Sequence, residues 1–435
     1  MDNNRALLDV YYPCPIHSLL NGPASPAVPP ARRPSGGNTA AFISAATAAP
    51  ARQRPLTIGL RPHPLLVPNP RGGGFAVHAP RSGGAPQSFP VVVYVTGGAW
   101  TVGYKGWASM TARVMAACGF IVVAPDYRNF PSARVPHMVD DVCDALAWTL
   151  AHCESFHGDP NHVYVVGQSA GAHLVTLALL RQVRLLARLR GRDPTVSPGA
   201  ATTPTTETAA APVYPAAANF DPRGFRAFVG VSGVYNTEAV EALLHAKGLD
   251  QRIFKAICAR DVPGCSATRQ AQAMPPEALA AYLPARFHYF HGDADTSAPL
   301  SESKAIAELL SRKFTEARLV GDDTPDPVVP AAERVSLDVQ PGATHTTPIV
   351  EDMLGGRSHL AATLLNVHAI ARDDDRRRRR LHPADAAAGA ATVAGDDAAA
   401  DDFGPRPLRP ALPPVEFTPL INKWSLRLAT FVSAF

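Results

Sequence analysis

The chain has 435 residues, 46% of them hydrophobic, which is ample for a core, and length alone would allow two or three domains. A net charge of +4 is too mild to imply a nucleic-acid surface, and neither a run of 18 apolar residues nor a signal-peptide pattern is visible. Six cysteines show no Cys-x-x-Cys pair and no zinc spacing, so neither metal nor cofactor is expected and reduced, buried thiols suit them best.

The first element is Leu7-Leu-Asp-Val-Tyr-Tyr-Pro13, which reads as a strand, with Phe75-Ala-Val-His-Ala-Pro80 an alternative for the same place. Between them, from residue 14 to 88, the chain is rich in Pro, Ala, Gly and Arg and has no sustained hydrophobic period. Segments 191–219, 321–332 and 373–414 look alike in this respect. Such stretches bury too little apolar surface to offset their ordering entropy, so disordered loop insertions are expected there. Removing them leaves one domain of ordinary size.

Pro90-Val-Val-Val-Tyr-Val95 is an apolar β-branched run, the mark of a buried parallel strand, and it ends in Thr96-Gly97-Gly98-Ala99-Trp100. Helical periodicity follows over Gly106–Cys118, then a strand at Ile121–Ala124, then a helix at Val139–Cys153. Strand Val163–Val166 runs into Gly167-Gln168-Ser169-Ala170-Gly171 and the apolar helix Ala172–Leu189. A strand, a turn that admits only small neighbours and a helix make a nucleophile elbow, which lifts a serine hydroxyl clear of the sheet. Ser169 is the predicted nucleophile.

A serine needs a histidine to take its proton and a carboxylate to orient that histidine. After a strand at Ala227–Val231 and a segment Thr237–Ala281 that predicts a helical cap, strand Arg286–Phe290 leads into His291-Gly-Asp-Ala-Asp-Thr-Ser-Ala-Pro299. A helix at Ser301–Arg312 and a strand at Arg334–Val339 bring the chain to Gly342-Ala-Thr-His345-Thr346. His345 is the predicted base and Asp295 the acid, with Asp293 a competing carboxylate expected to cap its own turn. For the oxyanion, the N–H of Ala170 and those of Gly98 and Ala99 are the expected donors, with Gly97 shaping the turn. Alternating strands and helices predict an α/β fold, a mostly parallel sheet with helices on both faces.

The order Ser, Asp, His is that of α/β-hydrolases, and the loop from His291 resembles the His-Gly-x-x-Asp loop of many of them. A narrower likeness rests on Thr96-Gly-Gly-Ala-Trp-Thr-Val-Gly-Tyr-Lys-Gly-Trp107, Ala124-Pro-Asp-Tyr-Arg-Asn-Phe-Pro131 and Gly167-Gln-Ser-Ala-Gly-Ala-His173. Gly230-Val-Ser-Gly-Val-Tyr-Asn236 and the chain end Leu428–Phe435 add to it. These segments resemble the protein-S-isoprenylcysteine α-carbonyl methylesterases. The resemblance implies hydrolysis of the methyl ester on a C-terminal farnesylated or geranylgeranylated cysteine. It also implies work facing the cytosol, at endoplasmic reticulum or Golgi membranes.

A prenyl substrate calls for an apolar wall, for which Trp100, Tyr104, Trp107, Phe130 and Tyr235 are candidates, each also suited to a core. Lys105 is expected to be solvated, and Asp126 and Arg128 to brace the loop beside the site. His137, His152, His162 and His173 are expected in structural or surface roles. The run Asp373–Arg380 is expected to be a solvated charge block. Family members commonly carry membrane spans ahead of the first strand, whereas here Met1 stands almost on it. The expectation is a soluble or peripheral version, or a chain lacking its start. Broad carboxylesterase or arylformamidase-like activity is the rival enzyme reading, and an inactive hydrolase-fold scaffold the rival of another class.

Overall fold

The computed structural model describes residues 8–11, 88–189, 220–320, 329–381 and 414–416. The predicted insertions at 14–88 and 191–219 (Ser88 apart), the alternative strand at 75–80 and the chain end at 428–435 lie outside these residues. So do 321–328 and 382–413.

The apolar runs form the strands expected of them: β1 (Leu8–Tyr11), β2 (Phe89–Val95), β3 (Ile121–Pro125), β4 (Gly158–Gln168), β5 (Ala227–Val231), β6 (Arg286–Gly292) and β7 (Val335–Gln340). Among the described residues they make one seven-stranded sheet in the order β1-β3-β2-β4-β5-β6-β7. Strand β1 is antiparallel to β3, and every other pairing is parallel. A second antiparallel pair joins β8 (Arg357–Ser358) to β9 (Val415–Glu416).

Both faces are covered, as a parallel sheet requires. On one face Val91, Val93 and Val95 pack with α2 (Val135–His152), α3 (Ala170–Leu189) and α8 (Leu300–Val320). On the other, Val92, Tyr94 and Val122 pack with α1 (Ser109–Ala117) and α10 (His359–Leu381), which follows the short α9 (Glu351–Leu354). Helix α2 starts four residues before the predicted Val139, because Arg134 is extended and Pro136 occupies the first turn, where its missing N–H costs nothing. Helix α3 is long and apolar enough to cross a membrane, but 78% of that window is buried inside the fold, so it serves as the core helix.

The predicted cap is four short helices between β5 and β6: α4 (Thr237–Ala246), α5 (Gln251–Ile257), α6 (Ala267–Ala273) and α7 (Pro276–Tyr282). Asn236, Asp250 and Ser266 accept hydrogen bonds from the first N–H groups of α4, α5 and α6.

One expectation fails here. Residues 373–381, assigned to a disordered insertion, continue α10. Pairing explains it. Buried Asp374 receives the Arg286 guanidinium at 2.7 Å, and Asp375 pairs with Arg226 and, at 3.0 Å, with His162. Asp374 and Asp375, which look solvated in the sequence, are thus matched, whereas Arg376 and Arg378–Arg380 are exposed as expected of a solvated charge block. Within 321–332, Val329 is buried and Ala331 opens a short 3-10 turn.

Candidate active site

The sheet order reverses between β2 and β4, and ligand sites of open α/β sheets form beyond the carboxyl ends of the strands at such a point. Four loops meet there, after β2, β4, β6 and β7. Ser169 sits between β4 and α3 with φ of 53°. That left-handed backbone costs a serine roughly 1–3 kcal/mol and persists because the neighbours fix it. Ser169 N–H donates to Val231 O at 2.9 Å, and Ala172 N–H donates to Ser169 O at 3.0 Å. A Cβ on Gly171 would strike Val95 O, and one on Gly167 would reach Ala172 Cα at 2.5 Å.

Ser169 Oγ lies 2.9 Å from His345 Nε2, and His345 Nδ1 lies 2.8 Å from Asp295 Oδ2. An ionised carboxylate only accepts, so Nδ1 carries the proton and Nε2 accepts from the serine hydroxyl. Asp295 Oδ1 accepts from the N–H groups of Ser297 at 2.8 Å and Ala298 at 2.9 Å. Burial alone would raise the Asp295 carboxyl. Hydrogen bonds from His291, His345 and Ala298 outweigh it and hold the group well below the usual carboxylate range. Asp293 goes elsewhere: its Oδ1 accepts from Gly342 N–H at 2.6 Å, so it caps the following loop rather than its own turn. The two loops dock closely, since a Cβ on Gly292 would strike Ala343 O.

In the loop after β2, Gly98, Ala99 and Trp100 take φ of 125°, 48° and 61°. Gly97 N–H donates to Gln168 Oε1 at 3.0 Å, which takes it out of the donor set and leaves Gly97 shaping the turn. Among the described residues, no hydrogen bond uses the N–H groups of Gly98, Ala99 or Ala170. The segment from Asp126 is the brace. Tyr127 OH donates to Thr96 O at 3.1 Å, Asn129 Nδ2 to Gly103 O at 2.6 Å and Phe130 N–H to Trp100 O at 2.8 Å. Arg128 forks onto Asp141 of α2.

Trp100 is buried rather than a substrate wall. Its Nε1–H donates to His173 Nδ1 at 3.2 Å, and its ring meets Phe254 of α5 edge-on at 5.6 Å. His173 Nε2–H in turn donates to Cys265 O at 2.7 Å. Indole N–H only donates and a carbonyl only accepts, so only the neutral Nε2–H tautomer satisfies both. Burial brings this imidazole down to about 4. A neutral His173 therefore contributes stability above the unfolded value near 6.5 that is lost as pH falls toward 4. His173→Leu is expected to flatten the acid side of the stability curve by about 2 kcal/mol between pH 7 and pH 5. Urea midpoints at the two pH values check this; an unchanged slope would remove the linkage.

Tyr235 is fully buried and Phe130 half-buried, so neither offers open surface. Val102, Tyr104 and Trp107 are 59%, 47% and 52% exposed and form the apolar surface beside the loop. Lys105 is not solvated: it is 7% exposed and pairs with Asp9 of β1 at 2.8 Å. Among the described residues no three His, Cys, Asp or Glu side chains group as metal ligands. Sequence reasoning missed Gln168, Tyr127 and Asn129 as supports of this loop. Gln168 carried a signal, because a polar residue stands one place before the serine at the end of a buried strand.

A family model described as BD-FAE matches residues 77–196. A probable isoprenylcysteine alpha-carbonyl methylesterase of Oryza sativa subsp. japonica is 32% identical over 281 residues, 64% of this chain and 57% of that protein. LipM of Mycobacterium tuberculosis, a probable carboxylic ester hydrolase, is 29% identical over 222 residues, 51% of this chain and 44% of its own. The chain thus spans about half the length of the curated relatives it matches. The crystal structure of esterase B from Lactobacillus rhamnosis covers 68% of this chain and 79% of its own, with 17% identity and a TM-score of 0.46. The elbow between β4 and α3, on a mostly parallel sheet with helices on both faces, gives this chain an α/β-hydrolase fold, and its sequence is similar to those of the isoprenylcysteine alpha-carbonyl methylesterases.

Proposed function

We propose that this protein is a serine carboxylesterase that removes the methyl ester from C-terminal prenylated cysteine. The observation that carries the reading is the continuous line Asp295–His345–Ser169 beside three N–H groups not engaged elsewhere among the described residues. His345 Nε2 takes the proton as Ser169 Oγ attacks the ester carbonyl, and the N–H groups of Gly98, Ala99 and Ala170 receive the oxyanion. Methanol leaves with the proton from His345, and a water activated by the same nitrogen releases the acid.

The choice of a prenylated ester is supported by the similarity to the plant methylesterases and by Val102, Tyr104 and Trp107, a greasy flank for a long apolar chain. Such substrates are anchored in membranes, so the site would work at a cytosol-facing membrane surface, that of the endoplasmic reticulum or Golgi. Similarity to LipM supports a second reading, a carboxylesterase of broad range.

Turnover of farnesylcysteine methyl ester beside p-nitrophenyl acetate separates the two. The expected result is a kcat/KM at least ~100-fold higher on the prenylated ester, since roughly 3 kcal/mol from a buried prenyl chain is ample for that ratio. Turnover of the acetate alone would keep the esterase and discard the prenylcysteine substrate.

A further inference from the structure

We infer that His291 is a positioning residue for the reaction, a second histidine that shares one oxygen of Asp295 with His345. The inference rests on the serine-esterase reading above. His291 is the penultimate residue of β6 and is 0% exposed. Its Nε2 lies 2.7 Å from Ala298 O and 3.3 Å from Asp295 Oδ2, and its Nδ1 lies 2.8 Å from Ser303 Oγ on α8. Because a carbonyl only accepts, Nε2 carries the proton, and Nδ1 of the neutral ring accepts from the Ser303 hydroxyl. The Nε2–H therefore faces two acceptors at once, Ala298 O and the carboxylate oxygen that also receives His345 Nδ1–H.

This arrangement does two things. Ser303 and Ala298 fix the ring from opposite sides, and the ring helps fix the rotation of the carboxylate, which two N–H groups on Oδ2 and two on Oδ1 hold. The second effect is electrostatic. A donor on Oδ2 draws off part of the charge that would otherwise stabilise His345 in its protonated form. His291 thus trims the strength of the catalytic base without touching substrate.

Other charged groups around this spot are accounted for. Glu302, the neighbour of Ser303, is buried with Oε2 accepting from Tyr235 N–H at 2.8 Å and Asn236 N–H at 2.7 Å. Lys247 of the cap reaches Thr296 O at 2.6 Å, and Asp293 is held by Gly342.

The pH dependence of Ser169 labelling by a fluorophosphonate probe reads this base without needing the natural substrate. In His291→Leu the half-maximal rate on the acid side is expected to move up by about half a unit to one unit. His291→Gln, which places an N–H near the lost one, is expected to return most of the way. Ser303→Ala leaves the ring but frees Nδ1, and should move in the same direction by less; it serves if the leucine variant does not fold. Thermal melting identifies the folded variants. A purely structural role predicts the opposite sign, since a carboxylate turned away from His345 lowers that midpoint. An unchanged or lowered midpoint in a folded variant overturns the inference. Absence of Ser169-dependent labelling in the wild type sinks the esterase reading instead.

Discussion

A Ser169→Ala protein is expected to lose about six orders of magnitude in kcat on its ester substrate while melting at the wild-type temperature. The two halves of that expectation have separate causes. Ser169 Oγ is the proposed attacking atom, and no described neighbour at the elbow could replace it: Gly167, Ala170 and Gly171 carry no nucleophile. What survives is binding and the N–H groups of Gly98, Ala99 and Ala170, worth about 10³–10⁴ over water in hydrolases of this kind. The fold is spared because the hydroxyl makes one hydrogen bond, to His345, and alanine tolerates the elbow backbone about as well as serine does. Burst and steady-state kinetics with a circular dichroism melt test both halves. A folded mutant with wild-type turnover would remove the nucleophile. A wild-type protein that a fluorophosphonate fails to label would favour the scaffold reading.

Asp295→Asn is expected to cost about 10⁴ in kcat, against less than about tenfold for Asp293→Asn. An amide in place of the Asp295 carboxylate can turn its NH₂ toward His345 Nδ1 and hold the imidazole in the wrong tautomer, with the proton on the nitrogen that must accept from Ser169. In Asp293→Asn the amide carbonyl oxygen can still accept from Gly342 N–H, so the His345 loop keeps its place. The Asp295 carboxyl is depressed in the fold, so its contribution to stability is present above the unfolded value near 3.9 and disappears as pH falls below it. Asp295→Asn should accordingly lose stability at pH 7 and show a shallower loss below pH 4. Single-turnover kinetics on both variants, with urea melts at pH 7 and pH 3, check this. Equal rate losses in the two variants would undo the assignment of the acid.

The parts of this site legible in the sequence are those that local chemistry dictates. An elbow needs small residues on both sides of its serine within five positions. A parallel strand buried on both faces must read as an apolar run, and Val91–Val95 and Val163–Val166 do. The choice between Asp293 and Asp295 is harder. Both stand in one loop, and only the register of β7 beside β6 decides which one faces His345. The supports are legible only in part. Lys105 looks like any surface lysine until β1 brings Asp9 to it, and the polar Gln168 shows its partner only once the β2 loop folds back over it. Helix α10 is the extreme case. Asp373-Asp-Asp-Arg-Arg-Arg has the composition of a solvated tail, and Arg286, Arg226 and His162, distant in sequence, give Asp374 and Asp375 their partners.

Strand β1 adds a kinetic dimension to the oxyanion loop. Its ladder joins Leu8 to Pro125 and Tyr11 to Val122, and its Asp9 reaches across 96 positions to Lys105, close behind Gly98 and Ala99. Contacts so remote in sequence form late, because the intervening chain must lose entropy before any of them is made. Among the described residues β1 is a four-residue strand at the sheet edge, paired on one side, and such strands are among the first pieces of a sheet to open. Amide exchange at Val10 should therefore outrun that at Val93 by orders of magnitude. Each opening releases Lys105, and with it the far end of the segment that aims the oxyanion donors. The protein would then spend a small fraction of its time fully folded in its core yet unprepared for catalysis.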